Sequence, residues 1–348
     1  SLCYKKLNMS KKNSNVILKN RFENYKELFY IYSTFKKKLK SLKSKSFVIA
    51  VSGGPDSLAL TALAKAYSYE NKCKFYYVLV DHNLRKNSSK EANSVKKLLK
   101  RHQINLDILK NKKEIKKNIQ NEARIIRYDL ISSFCKKKKT KTILTAHNLE
   151  DQVETFFIRL SRGSGLDGLS SMKQISKING NIFLVRPLLD FKKIQLIKIS
   201  KIIFGKFYKD PTNKDKKYFR TRIRNLKKTL EKSGINYDQI FLSIKNLSSS
   251  RDTLNLYFNK IYKDIVINKR NRTLINLEIF KGLNQEMKLR VFKKSIKHFT
   301  NSYYSPRSKK ILNLISQIQA KKNAKLTLGG CIILREKKHI TLKKEIKN

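Results

Sequence analysis

A short apolar run, Phe47-Val48-Ile49-Ala50-Val51, passes directly into Ser52-Gly53-Gly54-Pro55-Asp56-Ser57 and from there into a helix-length segment over 58–69. A buried strand that turns through two glycines into a helix fits few architectures and suggests a use for the turn. Small residues let backbone N–H groups approach an anion closely, and the helix start adds free donors and its positive dipole end. The hydroxyls of Ser52 and Ser57 are suited to donate to phosphate oxygens, and Asp56 to hold Mg²⁺ against them. An ordinary Gly-rich turn is the bland alternative, but five fixed letters between a strand and a helix favour phosphate binding by Ser52, Gly53, Gly54, Pro55, Asp56 and Ser57. The loop is neither a G-x-x-x-x-G-K-[ST] motif nor a dinucleotide G-x-G-x-x-G.

The rhythm set by this segment continues. FYYVLV (75–80), INLDIL (104–109) and TILTA (142–146) read as further strands. Between and after them come helices over 88–102, opened by a Ser cap, over roughly 114–138, and over 149–160. Such alternation predicts an α/β fold: a parallel sheet with helices on both faces and ligands at the carboxyl ends of the strands. Past Gly163 the pattern changes. IFLVRPLLD (182–190) reads as an edge strand, 191–204 as an amphipathic helix, 205–219 as a polar loop and 220–232 as a basic helix. From about 236 the chain reads as mostly helical, with Ile311, Leu314, Ile315 and Ile318 on one helix face and a β-hairpin around Gly329-Gly330. The expected domains are a basic N-terminal extension over 1–45, a catalytic domain over 46–228 and a smaller, mainly helical domain over 229–348, with the boundary near 225–235.

Composition narrows the partners. Among 348 residues, 80 are basic and 25 acidic, a formal charge of +55. That excess implies attraction to a polyanion through phosphate contacts and counterion release, although an AT-rich codon bias also inflates lysine. The four cysteines, Cys3, Cys73, Cys135 and Cys331, form no C-x-x-C pair. A zinc ribbon, a compact iron–sulfur motif and a disulfide framework are therefore not expected, and a reducing, cytoplasmic setting fits. No apolar run reaches the ~18 residues of a membrane helix, and no secretory signal is expected at the N-terminus, where Met9 is a candidate start.

The strand–SGGPDS–helix segment resembles the PP-loop (ATP pyrophosphatase) superfamily, which implies a Rossmann-like ATP-binding domain that cleaves between the α- and β-phosphates. Four further segments narrow the resemblance: Asp81-His82-Asn83-Leu84-Arg85; Glu122 to Tyr128; Ala146 to Thr155; and Asp210-Pro211-Thr212-Asn213 followed by Tyr218, Arg220, Arg222, Arg224 and Asn225. As a set, covering roughly 47–225, they are similar to the tRNA(Ile)-lysidine synthetase family. Asn148 stands where that family usually has a second His, and Glu150 where it has the first of two Asp. The extra C-terminal domain of longer members is not expected here.

The resemblance implies an ATP- and Mg²⁺-dependent ligase acting on an isoleucine tRNA with a CAU anticodon and on free lysine. It leaves room for a homodimer and expects no membrane. Asp151 and Glu154, at i and i+3 on one helix face, are expected to grip the incoming lysine. His147 is expected to contact phosphate or deprotonate the attacking amine. Merely favourable charges at a helix N-terminus are the alternative. Arg124 and Arg127 share a face suited to one anion, with Arg127 the stronger candidate. Tyr218, Arg220, Arg222 and Arg224, among Lys214, Lys216, Lys217, Lys227 and Lys228, suit stacking and phosphate contacts with unpaired RNA. The runs Lys36–Lys38 and Lys136–Lys139 read as solvated faces. A tRNA thiolase, a small-molecule synthetase and a noncatalytic RNA-binding protein are the competing readings.

Overall fold

The computed structural model describes residues 22, 24–83, 87–112, 115, 119–178, 180–208, 217–299, 306–321 and 323–345. The chain divides into two compact units between Ser248 and Ser249. The division falls inside one long helix, C-terminal to the expected boundary.

In the first unit, α1 (Lys26–Ser41) precedes β1 (Ser46–Val51), α2 (Pro55–Glu70), β2 (Lys74–Asp81), α3 (Ser88–Arg101) and β3 (Leu106–Lys110). There follow α4 (Ile119–Lys137), β4 (Thr142–Leu144), α5 (Leu149–Leu160), α6 (Leu166–Leu169), β5 (Ile175–Ile178), β6 (Ile182–Val185), α7 (Lys193–Phe204), α8 (Phe219–Asn225), α9 (Lys227–Lys232) and the first part of α10 (Tyr237–Ile265). The sheet order is β3-β2-β1-β4-β6-β5. All neighbours are parallel except β5 and β6. Successive side chains of a strand point to opposite faces, and the two cores follow that period. Phe47, Ile49 and Val51 of β1, with Tyr77, Leu79, Leu106, Leu144 and Val185, pack against α1, α2, α3 and α7. Val48, Val78, Ile143 and Leu184 face the other way, onto Ile131 and Cys135 of α4. Helices on both faces are as expected.

Several expectations are corrected. The sheet is mixed, and β6 is not its edge: β5 takes that place, a strand of four residues too short to register as a pattern. The N-terminal region is more than a basic extension, because Leu28, Ile31, Phe35 and Leu39 of α1 are buried at helical spacing. Lys36–Lys38 is not a solvated run. Lys38 donates to the Pro187 carbonyl at 2.9 Å and to Asp190 at 2.5 Å, and Lys36 pairs with Glu70. Helix α3 takes Asn87, not a serine, as its N-cap residue. The basic helix expected over 220–232 breaks at Leu226 into α8 and α9.

The second unit is mainly helical, as expected, and its strands extend the expected hairpin into a sheet. It holds β7 (Val266–Asn268), β8 (Arg272–Asn276), α11 (Leu277–Gly282), α12 (Gln285–Phe299), α13 (Ser308–Ala320), β9 (Lys325–Leu328), β10 (Cys331–Arg335) and β11 (His339–Lys344). The strands form one antiparallel sheet, β7-β8-β11-β10-β9. The expected hairpin is its β9–β10 end, turning through Gly329-Gly330. Ile311, Leu314, Ile315 and Ile318 are buried as expected, joining Phe280, Phe292, Ile333, Ile340 and Leu342 in one core. Arg335 closes α13 by donating to the carbonyls of Ile318, Gln319 and Lys321 at 2.5, 3.1 and 2.9 Å. Among the described residues, no helix is long and apolar enough to cross a membrane.

Candidate active site

The loop after β1 is braced from within. The Ser57 hydroxyl donates to the Gly54 carbonyl at 3.0 Å and accepts from both the backbone N–H and the hydroxyl of Ser52 at 3.1 Å. In this arrangement Ser57 shapes the loop. Gly53 has φ +80°, and a Cβ there would lie 2.5 Å from Cγ2 of Val95 on α3. Both the dihedral and the contact require glycine. The Gly53 carbonyl accepts the Tyr208 N–H at 3.0 Å, tying the segment after α7 to the loop. Pro55 occupies the first turn of α2, where its missing N–H costs nothing.

Asp56 follows, and its Oδ1 is buried without a hydrogen-bond partner among the described residues. Burial pushes this carboxyl up to about 6. Lys193 and a hydrogen bond from the Asn148 side chain pull it down, while Asp151 and Glu150 add to the rise. The start of α5 therefore lies close enough to the loop to govern its acid.

That helix start is built on Asn148. Asn and Asp are strong N-cap residues because their oxygen satisfies a free N–H of the first turn. Here Asn148 Oδ1 accepts the Asp151 N–H at 3.0 Å, and Asp151 Oδ2 accepts the Asn148 N–H at 3.1 Å, a complete capping box. Glu150 accepts the Lys193 N–H at 2.8 Å, joining the start of α5 to the start of α7. Both departures from the family pattern thus have structural work. Sequence reasoning missed it, although an Asn followed three residues later by Asp signals a cap. His147, just before the cap, places Nδ1 3.0 Å from the Thr145 hydroxyl. Burial holds its imidazole well below the usual range; Asp151 opposes this, and Arg186, Arg220 and Arg124 reinforce it.

Glu154 is only 2% exposed and is already engaged. Arg224 clamps it with two hydrogen bonds, Nε to Oε1 at 2.7 Å and Nη2 to Oε2 at 3.0 Å. Arg220 Nε stands 3.1 Å from Oε2, and its Nη2 donates to Thr155 at 3.1 Å. Burial raises the Glu154 carboxyl, with the Arg224 bond opposing; the same bond raises the Arg224 guanidinium. The i, i+4 spacing of Arg220 and Arg224 puts both on the α5 side of α8, whereas Arg222 is exposed and lies over the Phe219 ring, 5.1 Å from its centroid. Tyr218 is half-buried at the start of α8.

On the other flank of β1, Arg127 meets the imidazole of His82 at the end of β2, and Arg124 lies over the Tyr128 ring at 5.2 Å. Leu84, Arg85, Asp210, Pro211, Thr212, Asn213, Lys214 and Lys216 lie outside the described residues.

The description of a PP-loop domain fits residues 30–230 of this chain. A tRNA(Ile)-lysidine synthase of Wolbachia pipientis wMel is 36% identical over 302 residues, covering 85% of this chain and 70% of the relative. One from Orientia tsutsugamushi (strain Boryong) is 31% identical over 317 residues, covering 87% and 70%. Among solved structures, the U34-tRNA thiolase NcsA from Methanococcus maripaludis, with its 4Fe-4S cluster, aligns with a TM-score of 0.54 at 17% identity, over 64% of this chain and 80% of that one. At that identity the likeness is one of fold.

Proposed function

Because this chain belongs to the tRNA(Ile)-lysidine synthase family of PP-loop enzymes, we propose that it ligates free lysine onto the wobble cytidine of an isoleucine tRNA with a CAU anticodon. The cytosine carbon-2 oxygen attacks the α-phosphorus of ATP and pyrophosphate leaves. The lysine amine then attacks carbon 2, AMP departs with the oxygen, and the amine's surplus proton passes to a base. The products are lysidine, AMP and pyrophosphate.

One observation carries this reading. The acid of the phosphate loop, Asp56, lies within electrostatic reach of the α5 start that holds Asn148, Glu150 and Asp151. An activated phosphate and a carboxylate for a cationic substrate thus fit at the carboxyl ends of β1 and β4. In this mechanism Ser52 through Ser57 cradle the phosphates, and Asp151 holds the lysine. The neutral imidazole of His147 accepts the amine proton. Glu154 aligns Arg220 and Arg224 rather than gripping lysine directly, and Tyr218 and Arg222 meet the RNA.

Asp56 fits a magnesium ion. Among the described residues its Oδ1 is a buried acceptor without a partner, and they contain no group of three or more His, Cys, Asp or Glu able to hold a metal alone. A lone carboxylate suits Mg²⁺, which takes its remaining ligands from phosphate oxygens and water. When bound, the ion supplies positive charge against the departing pyrophosphate. A thiolase reading has less support, because burial raises the thiols of Cys73, Cys135 and Cys331 and so reduces their reactivity.

The test is a reaction of the full chain with ATP, Mg²⁺, lysine and a CAU-anticodon tRNA transcript. Pyrophosphate release that requires the tRNA is expected, together with lysidine in the nucleoside digest when lysine is present. The Asp151→Ala variant should bind ATP and form no lysidine. A digest without lysidine from protein that binds ATP overturns the proposal, and unchanged lysidine formation by Asp151→Ala removes that carboxylate from the site.

A further inference from the structure

β1 and β4 are parallel neighbours, with Val48 opposite Ile143 and Ile49 opposite Leu144. The helices that follow them, α2 and α5, therefore begin side by side at the carboxyl end of the sheet. Asp56 lies in the first turn of α2, and Asn148 is the N-cap of α5.

Asn148 is held on every side. It is only 1% exposed. Its carbonyl accepts the Gln152 N–H at 3.2 Å, and the next residue, Leu149, donates its N–H to the Phe191 carbonyl at 3.0 Å. Its own N–H goes to Asp151 Oδ2 at 3.1 Å. A primary amide carries its acceptor at one corner and its donors at the other. Oδ1 is committed to the Asp151 N–H at 3.0 Å, which settles which corner is which. The remaining corner, Nδ2, donates to the carboxylate of Asp56. Asp56 Oδ1 has no partner among the described residues, so that bond falls on Oδ2. One oxygen of the acid is held, and the other is left open.

A carboxylate that stands alone samples several rotamers, and a metal then selects among them at a cost in affinity. A neighbour that holds the ligand by its other atom removes that cost, and losing such a neighbour typically weakens metal binding about 10–100-fold. We propose that Asn148 is the positioning residue of Asp56: a single amide caps α5 and grips Oδ2, so that Oδ1 is presented to the magnesium of the bound nucleotide. The start of α5 and the phosphate loop are thereby set by one side chain, at a position where this chain departs from the usual His of its family. The inference rests on the metal–nucleotide reading above and adds the group that aims its acid.

Equilibrium binding of radiolabelled α,β-methylene-ATP, whose bridge cannot be cleaved, tests it on the full chain without lysine or tRNA. The readout is the gain in affinity between EDTA and Mg²⁺. Asn148→Ser keeps a good capping oxygen but is too short to reach Asp56. It should unfold in urea close to the parent, bind the analogue in EDTA as the parent does, and lose about tenfold of the magnesium gain. Asn148→Gly, another tolerated cap, should do the same. Asp56→Asn should lose at least as much, and adding Asn148→Ser to it should cost nothing further, because the amide acts only through that carboxylate. A merely structural role would show as equal losses in both backgrounds. The inference is overturned by folded Asn148→Ser or Asn148→Gly protein with the parent's magnesium gain, by Asp56→Asn leaving that gain intact, or by a double variant weaker than Asp56→Asn alone. A parent that shows the gain yet makes no lysidine defeats the proposed function and leaves this result standing; a parent that binds no nucleotide defeats both.

Discussion

Asp56 carries a conflict between folding and function. Its carboxyl is raised to about 6 by burial, from an ordinary value of 3.8. Between those values the folded chain holds a proton that the unfolded chain has lost, so this group's contribution to stability falls as pH rises through the window. The Asp56→Asn variant should therefore resist urea better than the parent at pH 8, by on the order of 2 kcal/mol, with the gap closing toward pH 4. Urea titrations of both proteins across pH 4–8 read this directly. The same variant should lose nucleotide turnover. Gly53 has no such freedom. The Gly53→Ala variant forces a side chain into φ +80° and against Val95, and should lose about 2–4 kcal/mol in the same titration. Adding Val95→Ala relieves the contact but not the dihedral, so recovery should be partial.

At the scale of elements, α5 is the hub of the site, and its partners were unevenly legible. The apolar alternation of 47–51 and 75–80 is strong because both faces of a central strand are buried, and those strands stand as expected. Ile175–Ile178 and Val266–Asn268 escaped because three or four residues, with one side exposed, leave no period to read. Helix α1 was obscured by its lysines, whose stems and ammonium groups reach Asp190 and Glu70. Around α5, the loop and the acidic positions could be found from residue types, and the cap of Asp151 on Asn148 is a local signal that went unread, but the use of Glu154 in a clamp depends on a tertiary partner seventy residues away. The clamp joins α5 to α8, and its strength is measurable. In a double-mutant cycle of Glu154→Gln and Arg224→Gln, each single change leaves a polar partner stranded. The two together should be less harmful than their sum, with a coupling of about 1–3 kcal/mol in urea unfolding. Additive losses would mean that the clamp is not a unit.

For the whole molecule, a charge of +55 acts with opposite signs on two equilibria. Self-repulsion among lysines weakens the compact state, and salt screens it, so the thermal midpoint of the free protein should rise between 50 and 300 mM NaCl. RNA affinity should fall over the same range as counterion release loses its advantage. Exposed Arg222 offers a local probe. Arg222→Ala should reduce the slope of log affinity against log salt by about one while ATP binding in the absence of RNA is unchanged. A slope identical to the parent's would remove Arg222 from the RNA-facing surface.

Gly53 and Val95 lie on different elements, a loop and the helix α3, yet the gap between them is too small for a single methyl group. Inheritance must treat them as one locus. Any lineage that adds bulk at either position needs prior loss at the other, so drift in a remote-looking helix is tethered to the nucleotide site.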